Sequence, residues 1–369
     1  MKIIDSIITP PVFNYTFPQD KEEILFFDIE TTGLSPKTSS LYMIGAMFFD
    51  GRCSSWKLKQ FFADNYKSEA EIIKSFLEIL GRYKYLYHFN GKTFDIPYIL
   101  NKCEKHGIKP DSHCISILND KDGIYSVDIL ALIRPLKKLL SIQKASQPEL
   151  ERWLGIMRKD QYGGGQLISV YSQYIQYKTI ANGKAPELEG LLLLHNHDDI
   201  KHMLDVCSIL SYRDLFSSAS DIAITDITPG SRQGRCINIY FSHNVQIPKE
   251  TTIIKPFPAS GEETIPAGEL YMELGKDNAI LSVPLFYGNL KYFYPVRKKA
   301  AAKDCYIKKE GMFIPSITLI QPENYNMQFY ITYHDQICFY ALPDETVNIK
   351  NPFWCNYVKL QLSSLVKTT

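Results

Sequence analysis

The run Ile24-Leu25-Phe26-Phe27-Asp28-Ile29-Glu30 constrains this chain more than any other segment. Four large apolar residues in succession, bounded by Thr31-Thr32-Gly33, read as a buried strand. Side chains two apart on a strand share a face, so Asp28 and Glu30 project together. Buried charges are costly, and two neighbouring carboxylates repel unless a cation lies between them. Either the strand ends here in a polar turn, or the pair serves a divalent metal ion.

Two further acidic elements bear on that choice. Asp95 lies in Asn90-Gly91-Lys92-Thr93-Phe94-Asp95-Ile96-Pro97-Tyr98, after a second apolar strand and at the opening of a helix. At that position a carboxylate can cap free N–H groups and meet the helix dipole, or it can face a metal ion. In His195-Asn196-His197-Asp198-Asp199, His195 and Asp199 are four apart and share one helical face. Asp198 is the alternative ligand but projects about 100° away. The same stretch also reads as a solvated polar turn. Together the three elements offer oxygen ligands of the kind that Mg²⁺ and Mn²⁺ prefer. Two such ions about 4 Å apart can clamp both oxygens of an in-line phosphoryl displacement.

Around these elements the chain reads as two domains, an ordinary division for 369 residues. Residues 1–20 read as an irregular leader broken by Pro10, Pro11 and Pro18. Residues 21–216 carry strands first and helices after, an α/β layered pattern. Strands are expected at Leu41–Phe49, Trp56–Phe62 and Tyr85–Phe89, with a short one over Ser126–Leu130. Ile72, Ile73, Phe76, Leu77 and Leu80 predict a helix over 69–80, with Ser68 and Glu71 as a capping box. A second helix runs from about Phe94 to Lys105, and the chain is mainly helical from about 134 to 216. Residues 217–232 read as a linker, and 233–369 as a β-rich accessory domain, a small barrel or sandwich. Its expected strands include Ile237–Phe241, Leu270–Leu274, Ile280–Tyr287, Gln328–Tyr333 and Gln336–Ala341.

Composition sets few limits. Forty-one basic and 40 acidic residues give a formal charge of +1, which neither demands nor forbids a polyanionic partner. Eight cysteines include no C-x-x-C pair, which argues against a zinc or dithiol motif and fits a reducing compartment. No run reaches the roughly 18 apolar residues of a membrane span, and no signal peptide is evident, so a cytoplasmic location is expected.

The three acidic elements together resemble a known family. Phe27-Asp28-Ile29-Glu30-Thr31-Thr32-Gly33-Leu34, Phe89 to Tyr98, and His195 to Asp199 are similar to the motifs of DEDD, or DnaQ-like, exonucleases. Within that superfamily the chain resembles the YprB-type ribonuclease H-like domain, over roughly residues 24–215. The resemblance implies a ribonuclease H-like mixed sheet with flanking helices. It also implies metal-dependent 3′→5′ hydrolysis of DNA or RNA at single-stranded ends, with two Mg²⁺ or Mn²⁺ ions. It assigns Asp28 to both ions, Glu30 and Asp199 to the ion that activates water, Asp95 to the other, and His195 to orienting or deprotonating the water. Thr31, Asn90, Phe94 and Arg158 are the residues expected to contact substrate. One feature departs from the usual pattern: three residues, rather than four, separate the histidine from the last aspartate.

Weaker signals accompany the motifs. Gly163-Gly164-Gly165 could let backbone approach a phosphate, or could simply join two helices. Tyr292-Phe293-Tyr294 before Arg297, Lys298, Lys299 and Lys303 could stack bases and hold phosphates, or form a strand and a charged turn. Two other functions stay open: a nuclease-like module that grips nucleic acid without cutting it, and a structure-specific endonuclease.

Overall fold

A computed structural model of the chain describes residues 1–160, 162–180, 183–217, 220–232, 235–257, 268–293, 306–317, 329–331, 338–343 and 348–367. These fall into two compact units: Met1–Arg134 with Gln143–Leu210, and Pro135–Ile142 with Ser211–Thr369.

The first unit is built on a six-stranded mixed sheet. Its strands are β1 (Lys2–Ile7), β2 (Ile24–Thr31), β3 (Leu41–Asp50), β4 (Ser55–Phe62), β5 (Tyr85–His88) and β6 (Ser126–Asp128), in the order β1-β4-β3-β2-β5-β6. β2 lies near the middle, antiparallel to β3 and parallel to β5. Its period of two separates two environments. Leu25, Phe27 and Ile29 join a core with Ile72, Ile73, Phe76 and Leu80 of α1 (Glu69–Leu80), and Phe27 stacks on Phe76 at 5.3 Å. Phe26 falls on the alternate positions and meets Phe17, Trp56 and Tyr87 edge-on or tilted. Asp28 and Glu30 continue those alternate positions towards the strand end.

The first unit's other helices are α2 (Asp95–Lys105), α3 (Ser112–Leu118), α4 (Ile129–Ile133), α5 (Gln147–Leu154), α6 (Gly164–Thr179) and α7 (Ala185–Cys207), while α8 (Leu210–Leu215) falls mostly in the second unit. A mixed sheet flanked by helices is the architecture that the motif resemblance implied.

Several local expectations need correction. Residues 2–7 are not irregular leader: β1 pairs antiparallel with β4, from Lys2 opposite Phe62 to Ile7 opposite Lys57, and supplies the ladder that β4 lacks on that side. Residues further along cover the sheet, and Asp205 accepts the N–H of Val12 at 2.6 Å and of Phe13 at 3.3 Å. α1 has the expected bounds, but Ser68 makes no side-chain cap; its hydroxyl accepts from the Met1 amine at 3.0 Å. The expected strand 126–130 stops at Asp128, whose carboxylate accepts the Ala131 N–H and starts α4.

The second unit contains a five-stranded antiparallel sheet, ordered β7-β8-β11-β10-β9. Its strands are β7 (Ile222–Gly230), β8 (Cys236–His243), β9 (Thr251–Pro256), β10 (Glu269–Leu274) and β11 (Asn278–Pro284). Then β12 (Phe286–Phe293), β13 (Tyr306–Pro315), β14 (Phe329–Ile331) and β15 (Cys338–Ala341) close a small barrel, and α9 (Pro352–Lys367) follows. Much of the expected linker 217–232 is therefore β7, whose pairing with β8 satisfies its backbone. The single strand expected over 280–287 divides after Pro284 between sheet and barrel, because proline cannot continue the ladder as a donor. Arg297, Lys298, Lys299 and Lys303 lie outside the described residues. No helix among the described residues is long and apolar enough to cross a membrane.

Candidate active site

Asp28 sits on β2 opposite Gly45 of β3. A Cβ at Gly45 would lie 1.9 Å from Ile200 Cδ1 and 2.4 Å from Asn196 Oδ1, so only glycine lets α7 approach the sheet this closely. That approach brings the third motif over the first. Asn196, fully buried, donates from Nδ2 to Asp28 Oδ2 at 3.2 Å, and its Oδ1 accepts from Gln60 Nε2 at 3.1 Å.

Asp95 arrives from the other side of β2. The turn after β5 uses Asn90 at φ 65° and Gly91, where a Cβ would lie 2.7 Å from His88 Cγ. Asp95 opens α2, yet its Oδ1 accepts the N–H of Ile29 at 3.3 Å, so it is tied to the backbone between Asp28 and Glu30.

Glu30, His195 and Asp199 offer ligand atoms that all lie within 4.8 Å of one another. His195 Nε2 is 3.7 Å from Glu30 Oε1 and 3.2 Å from Asp199 Oδ2. Its Nδ1 lies 2.6 Å from Asp160 Oδ2. Asp199 Oδ1 is bound by Arg158 Nη1 at 2.5 Å, and Arg158 is itself held by both oxygens of Glu151. Gln147 donates to the Asp199 carbonyl at 2.5 Å.

The electrostatics set this cluster apart. Burial, then the charges of Asp95, Glu30 and Asp199, push Asp28 well above the carboxylate range. Glu30 is pushed up to about 8, chiefly by burial, against the favourable pull of His195. Asp95 is pushed up to about 7, again by burial first, although the Ile29 N–H opposes the shift. His195 is shifted the other way from its burial: Glu30, Asp199 and Asp160 outweigh desolvation and raise its pKa. Hard oxygen donors that hold each other protonated are what a divalent cation relieves.

An open cleft of about 630 Å³ exposes the cluster. Asp28, Glu30, Thr31, Phe94, Arg158, His195 and Asp199 line it, with Leu34, Tyr162, Ile168 and glycines 163–165. Asp95 is 6% exposed and is not among the lining residues. Of the expected substrate contacts, Thr31, Phe94 and Arg158 reach the cleft. Asn90 does not line it; its backbone N–H donates to Asp128 and its left-handed conformation makes the turn. Arg158 is engaged by two carboxylates rather than free for a phosphate.

The structure adds Asn196, Asp160, Glu151, Gln147 and Gly45 to the site, none of them singled out by the motifs. Asn196 stood inside the third motif and could have been suspected. Asp160 carried no local signal, because its partner is 35 residues away.

Several known proteins are similar to parts of this chain. DNA polymerase 1 of Sulfurisphaera ohwakuensis is 38% identical over 66 residues, 18% of this chain and 8% of that protein. The DNA polymerase of Ostreid herpesvirus 1 is 39% identical over 49 residues, 13% of this chain and 3% of its own length. The match thus spans a small part of either polymerase. Among solved structures, the family B DNA polymerase of Pyrobaculum calidifontis aligns at a TM-score of 0.41 and 17% identity, covering 55% of this chain and 26% of its own. E. coli exonuclease I with a dA16 oligonucleotide aligns at 0.29 and 13%, covering 60% and 54%. The model of the RNase H superfamily matches residues 25–211, just over half of the chain, and the chain belongs to that superfamily.

Proposed function

We propose that the chain is a metal-dependent 3′→5′ exonuclease of the DEDD type, of the YprB-like subgroup, acting on single-stranded ends of DNA or RNA in a reducing, cytoplasmic setting. One observation carries the reading. Asp28, Glu30 and Asp95 are gathered from a strand and a strand-to-helix turn, largely buried, and raised in pKa by burial and by one another. A fold retains such a repulsive cluster where a ligand uses it.

Asp28, Glu30, Asp95 and Asp199 would hold two Mg²⁺ or Mn²⁺ ions. Bound there, the ions would neutralise phosphoryl oxygens and acidify water. The chain's own groups supply the rest. Asn196 and the Ile29 N–H orient Asp28 and Asp95. Arg158 and Gln147 hold Asp199 in place. His195 turns Nε2 towards Glu30 and Asp199, where it orients or deprotonates water. Phe94, Leu34, Tyr162 and Ile168 offer apolar walls on which unstacked bases can rest.

The test is a set of single- and double-stranded DNA and RNA oligonucleotides, labelled at one end or the other, with Mn²⁺, Mg²⁺ or chelator. A 5′ label should pass through a descending ladder, while a 3′ label should appear at once as mononucleotide. Covalently closed circles should survive. Shortening from the 5′ end, or cutting of circles, overturns the exonuclease reading. Salt-dependent binding without metal-dependent cleavage would instead indicate a module that only grips nucleic acid.

A further inference from the structure

His195 is held from behind by a carboxylate outside the four-acid set. Asp160 is 6% exposed, and its Oδ2 lies 2.6 Å from His195 Nδ1. It is fixed on both sides: Oδ1 accepts the Tyr162 N–H at 3.1 Å, and Asp198 Oδ2 accepts the backbone N–H of Lys159 at 3.2 Å and of Asp160 at 3.1 Å. The adjacent acids of the third motif therefore divide their tasks. Asp199 faces the cleft, and Asp198, 3% exposed, pins the loop that carries Asp160.

We propose that Asp160 is a positioning residue that accepts the Nδ1–H of His195 and so presents a bare Nε2 to the Glu30–Asp199 side of the site. A neutral imidazole carries one N–H, and the partner of one nitrogen decides which. With the proton on Nε2, the Nδ1 lone pair would be pressed against a carboxylate oxygen at 2.6 Å. With it on Nδ1, that contact becomes a short hydrogen bond to an anion. Nε2 lies farther from its acids, 3.2 Å from Asp199 Oδ2 and 3.7 Å from Glu30 Oε1, so with a cation engaging those acids it would face the site as an acceptor for a water proton. The geometry is that of a histidine whose outer nitrogen is tied to a carboxylate so that the inner one works. The inference deepens the exonuclease reading and rests on it for the meaning of Nε2.

The experiment uses the full chain labelled with ¹⁵N-histidine and saturated with Mg²⁺. Ring nitrogens are read by long-range ¹H–¹⁵N correlation, and His195→Gln assigns the signal. Wild type should show Nδ1 protonated and Nε2 bare, and Asp160→Asn should shift this pattern. In Mg²⁺-supported cleavage, Asp160→Asn should lower kcat by about tenfold to a hundredfold, with KM within about twofold. Asp160→Glu should recover part of the loss. A proton on Nε2 in wild type, an unprotonated Nδ1, or an Asp160→Asn protein with wild-type spectrum and kcat would overturn the proposal. Should Asp160→Asn fail to fold, the wild-type spectrum still decides. If wild type cleaves no nucleic acid, the nuclease reading falls, and the spectrum continues to report on Asp160 alone.

Discussion

Two carboxylate clusters in the first unit meet burial in opposite ways. Glu69, 4% exposed, is compensated: Lys102 at 2.8 Å and the Leu41 N–H at 2.7 Å bind one oxygen, and His106 at 2.6 Å binds the other. Burial works to raise its pKa, but these partners outweigh it and hold it below the ordinary value. Asp28, Glu30 and Asp95 also have hydrogen-bond donors, and His195 draws Glu30 down, yet among the described residues these partners do not offset burial and mutual repulsion, and all three are raised. The compensated cluster braces the fold, since Lys102 also reaches the Ser39 carbonyl at the loop before β3. The uncompensated one is the site proposed above for the metal ions. Burial acts on both, and the strength of the partners decides which way each carboxylate moves.

The contrast can be broken most severely at Asp28. Asp28→Asn should reduce metal-dependent cleavage on the order of a thousandfold, about 4 kcal/mol of transition-state stabilisation. Thermal unfolding of the metal-free protein should not worsen, because burial and the neighbouring acids already penalise the charged carboxylate at this position. A variant that keeps activity would show that the cluster is idle.

Removing Glu69 should do the reverse. Glu69→Ala leaves Lys102, which is fully buried, without its counter-ion. A loss of about 3 kcal/mol is expected in urea unfolding, as for other broken buried pairs. Unfolding at the wild-type midpoint would equate the two clusters.

Acidity offers a third comparison. Folded Glu30 titrates near 8 and Asp95 near 7, against ordinary values of 4.5 and 3.8. Between those values the folded protein holds protons that the unfolded chain has released, so the metal-free protein should lose stability as pH rises from about 5 to about 8. Glu69, with a lowered pKa, contributes above its ordinary 4.5 and loses that contribution as pH falls through the folded value. Saturating Mn²⁺ should therefore raise the melting temperature more at pH 8 than at pH 6, because binding requires the deprotonated ligands. Equal gains at both values would argue against carboxylate ligation.

The smallest effect is expected at the rim. A Cβ at Gly165 meets nothing within 4 Å. Gly165→Ala should leave the melting temperature unchanged or slightly raised, since alanine is the better helix former. If backbone at this edge of the cleft approaches substrate, KM should rise about threefold, roughly 0.6 kcal/mol. An unchanged KM would leave the glycines as a loop between helices.

Single residues mark where local sequence carries the fold and where it does not. The bounds of α1 follow from its apolar spacing, because amphipathic period is a local property that packing rewards. The cap of that helix was not legible: Ser68 has the right side chain, but the Met1 amine, 67 residues away, occupies its hydroxyl. β1 was hidden for a similar reason. Lys2–Ile7 shows exposed and half-buried positions typical of an edge, and only its partner β4 makes it a strand. The strand expected over Ile280–Tyr287 runs through Pro284, and nothing local says that the halves on either side of that proline enter different sheets.

Spacing alone could place Asp28 beside Glu30, and His195 on the face of Asp199, because strand and helix periods are set by backbone geometry. It could also supply the acids in the order a nuclease fold uses. Tertiary structure decided that Asp95 at the start of α2 is tied to β2 through the Ile29 N–H, and that Asp198 braces a loop while Asp199 enters the cleft. It also brought Asp160 behind His195 across 35 residues. Those outcomes depend on which surfaces come within hydrogen-bond reach once Gly45 admits α7 to the sheet, and no local period encodes a distance between elements.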